Sequence, residues 1–255
     1  MRANGAATGA APPGRPRPAA GSGGATEAGG TGGGSRYHHG DLRNALLRAA
    51  VALAAEGGPD AVVLRAAARQ AGVSATAAYR HFDGHGELLG AVAEHARRRL
   101  VTRMEAARRQ TRGGTGREAA RERLLTLGRG YLGFAREEPG LYRTAFRHRP
   151  CGSAGRPGTG TPAGSPGPRS GWGSRPLAVL AAALDEAVAA GLVPAGRRAG
   201  AELSAWAMLH GAAMLLLDGP LGALGEEEAA RVLDRVPHDI VAGLTAPEGP
   251  GTRSL

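Results

Sequence analysis

Leu64-Arg-Ala-Ala-Ala-Arg-Gln-Ala-Gly-Val-Ser-Ala-Thr-Ala-Ala-Tyr-Arg-His-Phe82 is the stretch on which the reading of this chain turns. Its opening is rich in alanine, which loses no side-chain entropy in a helix. Gly72 interrupts that helix at a place where the turn calls for a positive φ. Ser74 is set to cap a second short helix, over about 75–81, by accepting from an early backbone N–H. Small Ala67 and Ala68 let the two helices approach, Val73 fills the gap between them, and Ala78 and Phe82 continue the buried side. Ala75, Thr76, Tyr79 and Arg80 then face outward. This is the layout of a helix-turn-helix, whose second helix enters the DNA major groove by its N-terminal residues. An ordinary helical hairpin shares the glycine and the alanines, so the stretch alone leaves both readings open.

Outward from it, the chain reads as helix after helix. Leu42, Leu46, Ala49, Ala50, Leu53 and Ala54 keep helical spacing and stop at Gly57-Gly58-Pro59. Helices are expected from Glu87 to about Gln110, over 117–136, from Pro139 to Phe146, over 177–190, over 197–217, and from Glu226 to about Gly243. No alternating strand pattern occurs, so the fold class is all-α: a three-helix DNA-binding head and a larger helical bundle. Residues 1–35 are Gly, Ala, Pro and Thr with little to bury, and are expected to be a disordered tail. Residues 150–175 carry the same signature and predict a disordered loop, and 247–255 a flexible tail. The expected domains are a head over 36–100, with its motif at about 63–82, and a bundle over 101–246.

The chain has 255 residues with a formal charge of +10, and its 32 basic side chains are all arginine. Residues 101–149 alone hold twelve Arg against five acids, whereas 177–255 are acidic. A basic front and an acidic back suggest a protein that turns one end toward phosphates. Cys151 is the single cysteine, so no intramolecular disulfide can form. No apolar run reaches the length of a membrane span, and no secretory signal is evident. The expected location is the cytoplasm.

Tyr37-His-His-Gly-Asp-Leu-Arg43, then Ala-Gly-Val-Ser74, then Ala-Tyr-Arg-His-Phe82, then Glu87-Leu-Leu89 resemble, in order and spacing, the N-terminal domain of the TetR family of transcription repressors. The match runs without gaps from about Tyr37 to Arg99. That resemblance implies a homodimer on double-stranded operator DNA, with Ser74, Ala75, Thr76 and Ala77 at the groove. It places Tyr79 and His81 on phosphate or sugar, and Phe82 inside. Thr76 offers a hydroxyl and a methyl to base edges. Arg65, Arg69 and Arg80 are candidates for backbone contact, and Arg36 with the basic tail for a neighbouring groove. Two positions depart from the pattern. Val63 stands where the family often has Ser or Thr, and His85 where it often has Lys, and each change removes a phosphate partner at neutral pH.

In the C-terminal half, Glu137-Glu-Pro-Gly-Leu-Tyr-Arg-Thr-Ala-Phe146 and Ala205-Trp-Ala-Met-Leu-His-Gly-Ala-Ala-Met-Leu-Leu-Leu-Asp-Gly219 resemble a Trp-His-Gly subclass of the same family. This implies a small-molecule effector site, and pairing of two copies through the last two long helices. Trp206 and His210 lie one turn apart and share a face. They read either as packed core or, with Tyr131, Phe134, Met208 and Met214, as lining of the effector pocket. The opposing readings are a metal enzyme and a DNA-binding structural protein without a sensor. His38, His39, Asp41, His81, His85 and His95 gather in sequence, but neither a His-Glu-x-x-His nor a cysteine pair occurs. No catalytic residue, metal or cofactor is therefore expected. A bundle of this size exceeds what groove reading needs.

Overall fold

In a computed structural model, the residues described are 39–110, 114, 116–147 and 174–246, with 39–41, 110, 147 and 174 described by their backbone alone. The expectations for the two tails, for Cys151 and for the loop over 150–173 lie outside these residues; the last two residues of the expected loop, 174 and 175, are already helical. Among the described residues all regular structure is helical. Helix α1 (His39–Gly57) is followed by a 3₁₀ turn at Pro59–Ala61, then α2 (Leu64–Gln70), α3 (Ala75–Tyr79) and α4 (His85–Gln110). The C-terminal half contains α5 (Arg117–Glu137), α6 (Pro139–Arg147), α7 (Ser174–Ala189), α8 (Ala201–Leu217) and α9 (Glu226–Thr245).

The head forms because short alanine helices can come close. Ala67 and Ala68 of α2 and Ala78 of α3 are buried together, with Leu46 and Ala50 of α1 on one side and Phe82 and Leu88 on the other. Gly72 makes the turn at φ +71°, a conformation that a Cβ would strain. The second helix is shorter than its sequence suggests. It ends at Tyr79, with Arg80 as its C-cap residue.

Helix α4, about 39 Å long at 1.5 Å per residue, runs from the head into the bundle without a break at position 100. Its buried row is Leu88, Val92, Ala96, Leu100 and Met104. Helix α5 is buried on several sides, by α4, α7, α8 and α9, which is why Leu124, Leu127, Tyr131, Leu132 and Phe134 are all inside. Helix α8 starts four residues later than its apolar pattern implies, because Ala195–Arg197 form a separate 3₁₀ turn.

Helix α6 touches both halves. Its Gly140 lies against the end of α1, where a Cβ would meet the carbonyl oxygens of Ala54 and Ala55 at 2.2 and 2.6 Å. At its other end the Ala145 carbonyl accepts from Arg97 Nη1 of α4 at 2.8 Å. Arg143 reaches the end of α8, bonding Asp218 at 2.7 Å and the Leu217 carbonyl at 3.0 Å.

Candidate nucleic-acid interface and ring cluster

Ser74 occupies the N-cap of α3, and its Oγ accepts from the Ala77 N–H at 3.1 Å. This fixes which side of the five-residue helix is outward. Thr76, Tyr79 (49% exposed) and Arg80 face solvent, Ala75 and Ala77 are half-buried, and Arg65 and Arg69 of α2 lie exposed. His81 is half-buried and engaged within the protein. His85 is exposed on the first turn of α4. Val63 sits at the N-cap of α2 with no side-chain cap and is 46% exposed. Ser74→Ala should cost about 1 kcal/mol, the usual loss of a capping oxygen. Chemical denaturation would show it as a lower midpoint at unchanged slope.

The turn from α3 to α4 is held by a clasp that sequence reading left as a motif letter. Glu87 Oε2 accepts from the Asp83 N–H at 2.7 Å and Oε1 from Arg43 Nη2 of α1 at 3.0 Å. The Arg43 guanidinium in turn lies over the Phe82 ring, 4.5 Å from its centroid. One carboxylate of α4 thus ties α1 and the turn after α3 together.

The charge asymmetry does not work as the sequence suggested. Most of the described arginines of 101–149 are tied to acids of a neighbouring helix. Arg103 pairs with Glu137, Arg108 with Glu186, Arg129 with Asp234, Arg136 with Glu226 and Arg143 with Asp218. These pairs join helix to helix, so the basic middle and acidic end neutralise each other within the bundle. Arg65, Arg69 and Arg80 differ: none forms an ion pair among the described residues.

In the bundle, five rings from three helices converge. Tyr131 of α5 and Tyr142 of α6 place their hydroxyls 3.0 Å apart, and both reach His210 Nδ1 of α8, at 3.1 and 2.7 Å. Trp206 stacks on His210 at 5.1 Å and 17°, and Phe146 meets the same imidazole edge-on at 4.9 Å. Both tyrosines are fully buried, which pushes their pKa values well up and keeps the hydroxyls protonated. Trp206 Nε1 is buried and near enough to the Tyr131 hydroxyl to favour its ionised form, without a well-formed hydrogen bond.

Two family models cover most of the described chain. One, for the bacterial regulatory proteins of the tetR family, matches residues 46–92, and the other, a tetracyclin repressor-like C-terminal domain, matches 124–240. The chain belongs to the TetR family of transcriptional regulators. Members of this family are non-enzymatic DNA-binding regulators. Among solved structures, a Rhodococcus sp. RHA1 protein of unknown function is 27% identical, over 83% of this chain and 100% of that one, with a TM-score of 0.62. A Shewanella sp. PV-4 protein assigned to tetR family transcription regulators is 14% identical, over 81% and 99%, with a TM-score of 0.54. A TetR-like regulator from Rhodococcus sp. RHA1 is 19% identical, over 79% and 96%, with a TM-score of 0.50. These likenesses concern the fold. No curated protein sequence matches the chain.

Of the six residues that sequence analysis named for an effector pocket in this TetR chain, three come together at the rings and three do not. Met208 does not join the rings: it is 46% exposed, on the flank of α8 with Leu215, because two residues of helix turn it some 200° away from Trp206. Tyr131, Trp206 and His210 do come together. Phe134 is buried and Met214 half-buried, without ring contacts to the cluster among the described residues. Tyr142 and Phe146 were missed as site residues, although their spacing of four along α6 put them on one face. Leu203, Met208 and Leu215 leave α8 apolar on its solvent side, at 45–55% exposure. Among the described residues no group of three or more His, Cys, Asp or Glu is placed to hold a metal, and no helix is long and apolar enough to cross a membrane.

Burial holds the His210 imidazole below its ordinary pKa of 6.5. His95 is lowered as well, first by burial and then by Arg98 and Arg99, with Glu138 opposing. The unfolded chain therefore takes up protons on these rings before the folded one does. The stability contributed by keeping them neutral is complete above pH 6.5 and is lost as pH falls below it. The melting temperature should fall between pH 7 and 5.5, and His95→Gln with His210→Gln should flatten that slope. An equally steep fall in the double variant would show that other groups carry it.

Proposed function

We propose that this TetR-family chain is a homodimeric, effector-responsive repressor that acts in the cytoplasm on a palindromic operator. The observation that carries the DNA half of this reading is the uncommitted outer face of the head. Thr76 and Tyr79 of α3, its C-cap Arg80, and Arg65 and Arg69 of α2 face solvent in a protein that pairs most of the described arginines of its bundle. In this reading Ser74, Ala75, Thr76 and Ala77 lie along the groove floor, and Tyr79, His81, His85 and the three arginines contact the phosphates that fix register.

Pairing is supported by α8, a helix apolar on all sides whose outward row holds Leu203, Met208 and Leu215. A helix of that kind is buried by core and partner together. Effector response is supported by the ring cluster and by α6. That helix carries Tyr142 and Phe146 at the rings and rests on α1 and α4 of the head. A ligand that binds one arrangement of α6 better than another shifts the spacing of the two heads.

Capture of bound genomic fragments by the purified protein, followed by footprinting, tests the reading. Two protected half-sites, one helical turn or a multiple of it apart, are expected. In analytical ultracentrifugation, Leu203→Glu with Leu215→Glu should shift the protein to monomer and remove footprinting at the same time. Failure to retain any DNA in low salt would overturn the DNA half, and an unpaired wild-type chain would overturn the dimer.

A further inference from the structure

The polar atoms at the centre of the ring cluster can be counted proton by proton. Tyr131 Oη, Tyr142 Oη and His210 Nδ1 form a triangle with sides of 3.0, 3.1 and 2.7 Å. Both hydroxyls keep their protons, so two donors serve three atoms. With Nδ1 bare, Tyr142 donates to it across the shortest side, Tyr131 donates to the Tyr142 oxygen, and each proton has an acceptor. With a proton on Nδ1, three donors would face two oxygens, and one fully buried hydroxyl would lack an acceptor, an arrangement that folded proteins avoid. The neutral ring must then carry its proton on Nε2.

That Nε2–H lies on the imidazole edge away from the triangle, on a half-buried residue, and has no partner among the described residues. The ring that bears it has Trp206 stacked on one face and Phe146 edge-on against it, the two flanking rings 6.4 Å from each other. Trp206 Nε1 is buried beside the Tyr131 hydroxyl and adds no second open donor. No carboxylate among the described residues is bonded to the cluster. What these residues offer is therefore one N–H donor beside aromatic surface.

We propose that the effector is a flat, mostly apolar molecule bearing an acceptor oxygen, carbonyl or carboxylate, that takes the Nε2–H of His210, and that amine-bearing cations are rejected. The proposal rests on the ring cluster being the effector site of the preceding section. An acceptor oxygen closes the bond the protein leaves open. An ammonium group brings only donors to a donor and finds no counter-charge, so it loses its hydration without replacement.

The test uses the full-length protein and three probes with one ring body: 1-naphthoate, 1-naphthamide and 1-naphthylmethylamine. Nitrogen-15 NMR of the imidazoles, with His210 assigned by loss of its signals in His210→Gln, reads the tautomer at pH 7.5. A proton on Nε2 is expected. In calorimetry the two acceptor probes should bind at least about tenfold more tightly than the amine, the size of one well-made hydrogen bond to a desolvated group. His210→Phe, which keeps the stack and removes the donor, should weaken the acceptor probes by a similar factor and leave the amine unchanged. His210→Gln, which keeps an N–H, should restore part of the loss. A proton on Nδ1, an amine that binds as tightly as the acceptors, or failure of all three probes to move the His210 signals would overturn the proposal. Probes that bind as expected but never release operator DNA would leave the ligand chemistry standing and overturn the sensing role instead.

Discussion

Thr76→Ala with Tyr79→Ala should remove operator binding while leaving the protein folded and paired. Both side chains face solvent, and neither is part of the core behind Phe82. Their loss therefore costs the fold little, and surface changes of this kind usually lie within about 0.5 kcal/mol. On the proposed reading the two act differently on DNA: threonine would read a base edge and tyrosine hold the backbone. At about 1–3 kcal/mol for a direct base contact, and less for a phosphate contact, the pair should weaken specific binding by roughly thirtyfold or more. Fluorescence anisotropy on the footprinted site would measure it, beside a melting curve and a sedimentation run that should match wild type. The single variants separate the roles. Tyr79→Ala should weaken all sequences about equally, and Thr76→Ala should mainly lower the preference for the operator over random DNA. Unchanged affinity in the double variant would mean that α3 is not the reading helix.

Gly140→Ala should be among the most damaging single-methyl changes in this protein. The added carbon would come within 2.2 Å of the Ala54 carbonyl oxygen and 2.6 Å of the Ala55 carbonyl oxygen. Both are backbone atoms of α1, so no side-chain rotation relieves the overlap. Helix α6 must lift off the head or α1 must bend, and overpacking of this kind costs about 1–3 kcal/mol. The better helix propensity of alanine offsets at most about 1 kcal/mol. A fall of several degrees in melting temperature is expected, at about 2–4 °C per kcal/mol for a chain of this size. Operator affinity should fall with it, because α1 belongs to the head. Gly133→Ala is the control. There the nearest atom is 3.8 Å away, and the substitution should be neutral or stabilising. Equal melting points for the two variants would show that the contact at Gly140 yields easily.

The helices and the head were legible because alanine and leucine spacing, Ser74 and Gly72 are local signals. The Ser74 cap needs nothing beyond three residues of its own chain. The fate of the arginines was not legible. Arg129 and Asp234 are 105 positions apart, and only the folded bundle makes them partners. Sequence charge therefore suggested a basic front that the inter-helix pairs cancel. The faces of α8 were equally hidden. A helix apolar all round has no polar stripe to say which side is in, so Met208 and Trp206 looked alike until the neighbours were placed. Tyr142 and Phe146 could have been found from their four-residue spacing, but nothing local tied them to a histidine 68 positions away. At the two departures, Val63 leaves the first motif helix without a side-chain cap and His85 is exposed at the entry to α4.

Helix α6 is a strut only nine residues long, about 13 Å, and a piece so short cannot bow. It is pinned by backbone contact at Gly140 and by the Arg97 bond at Ala145. Whatever nudges Tyr142 midway along must then tilt the whole strut about one pin or the other. On the proposed reading, a push at the rings would reach α1 or α4 as a lean of the whole strut.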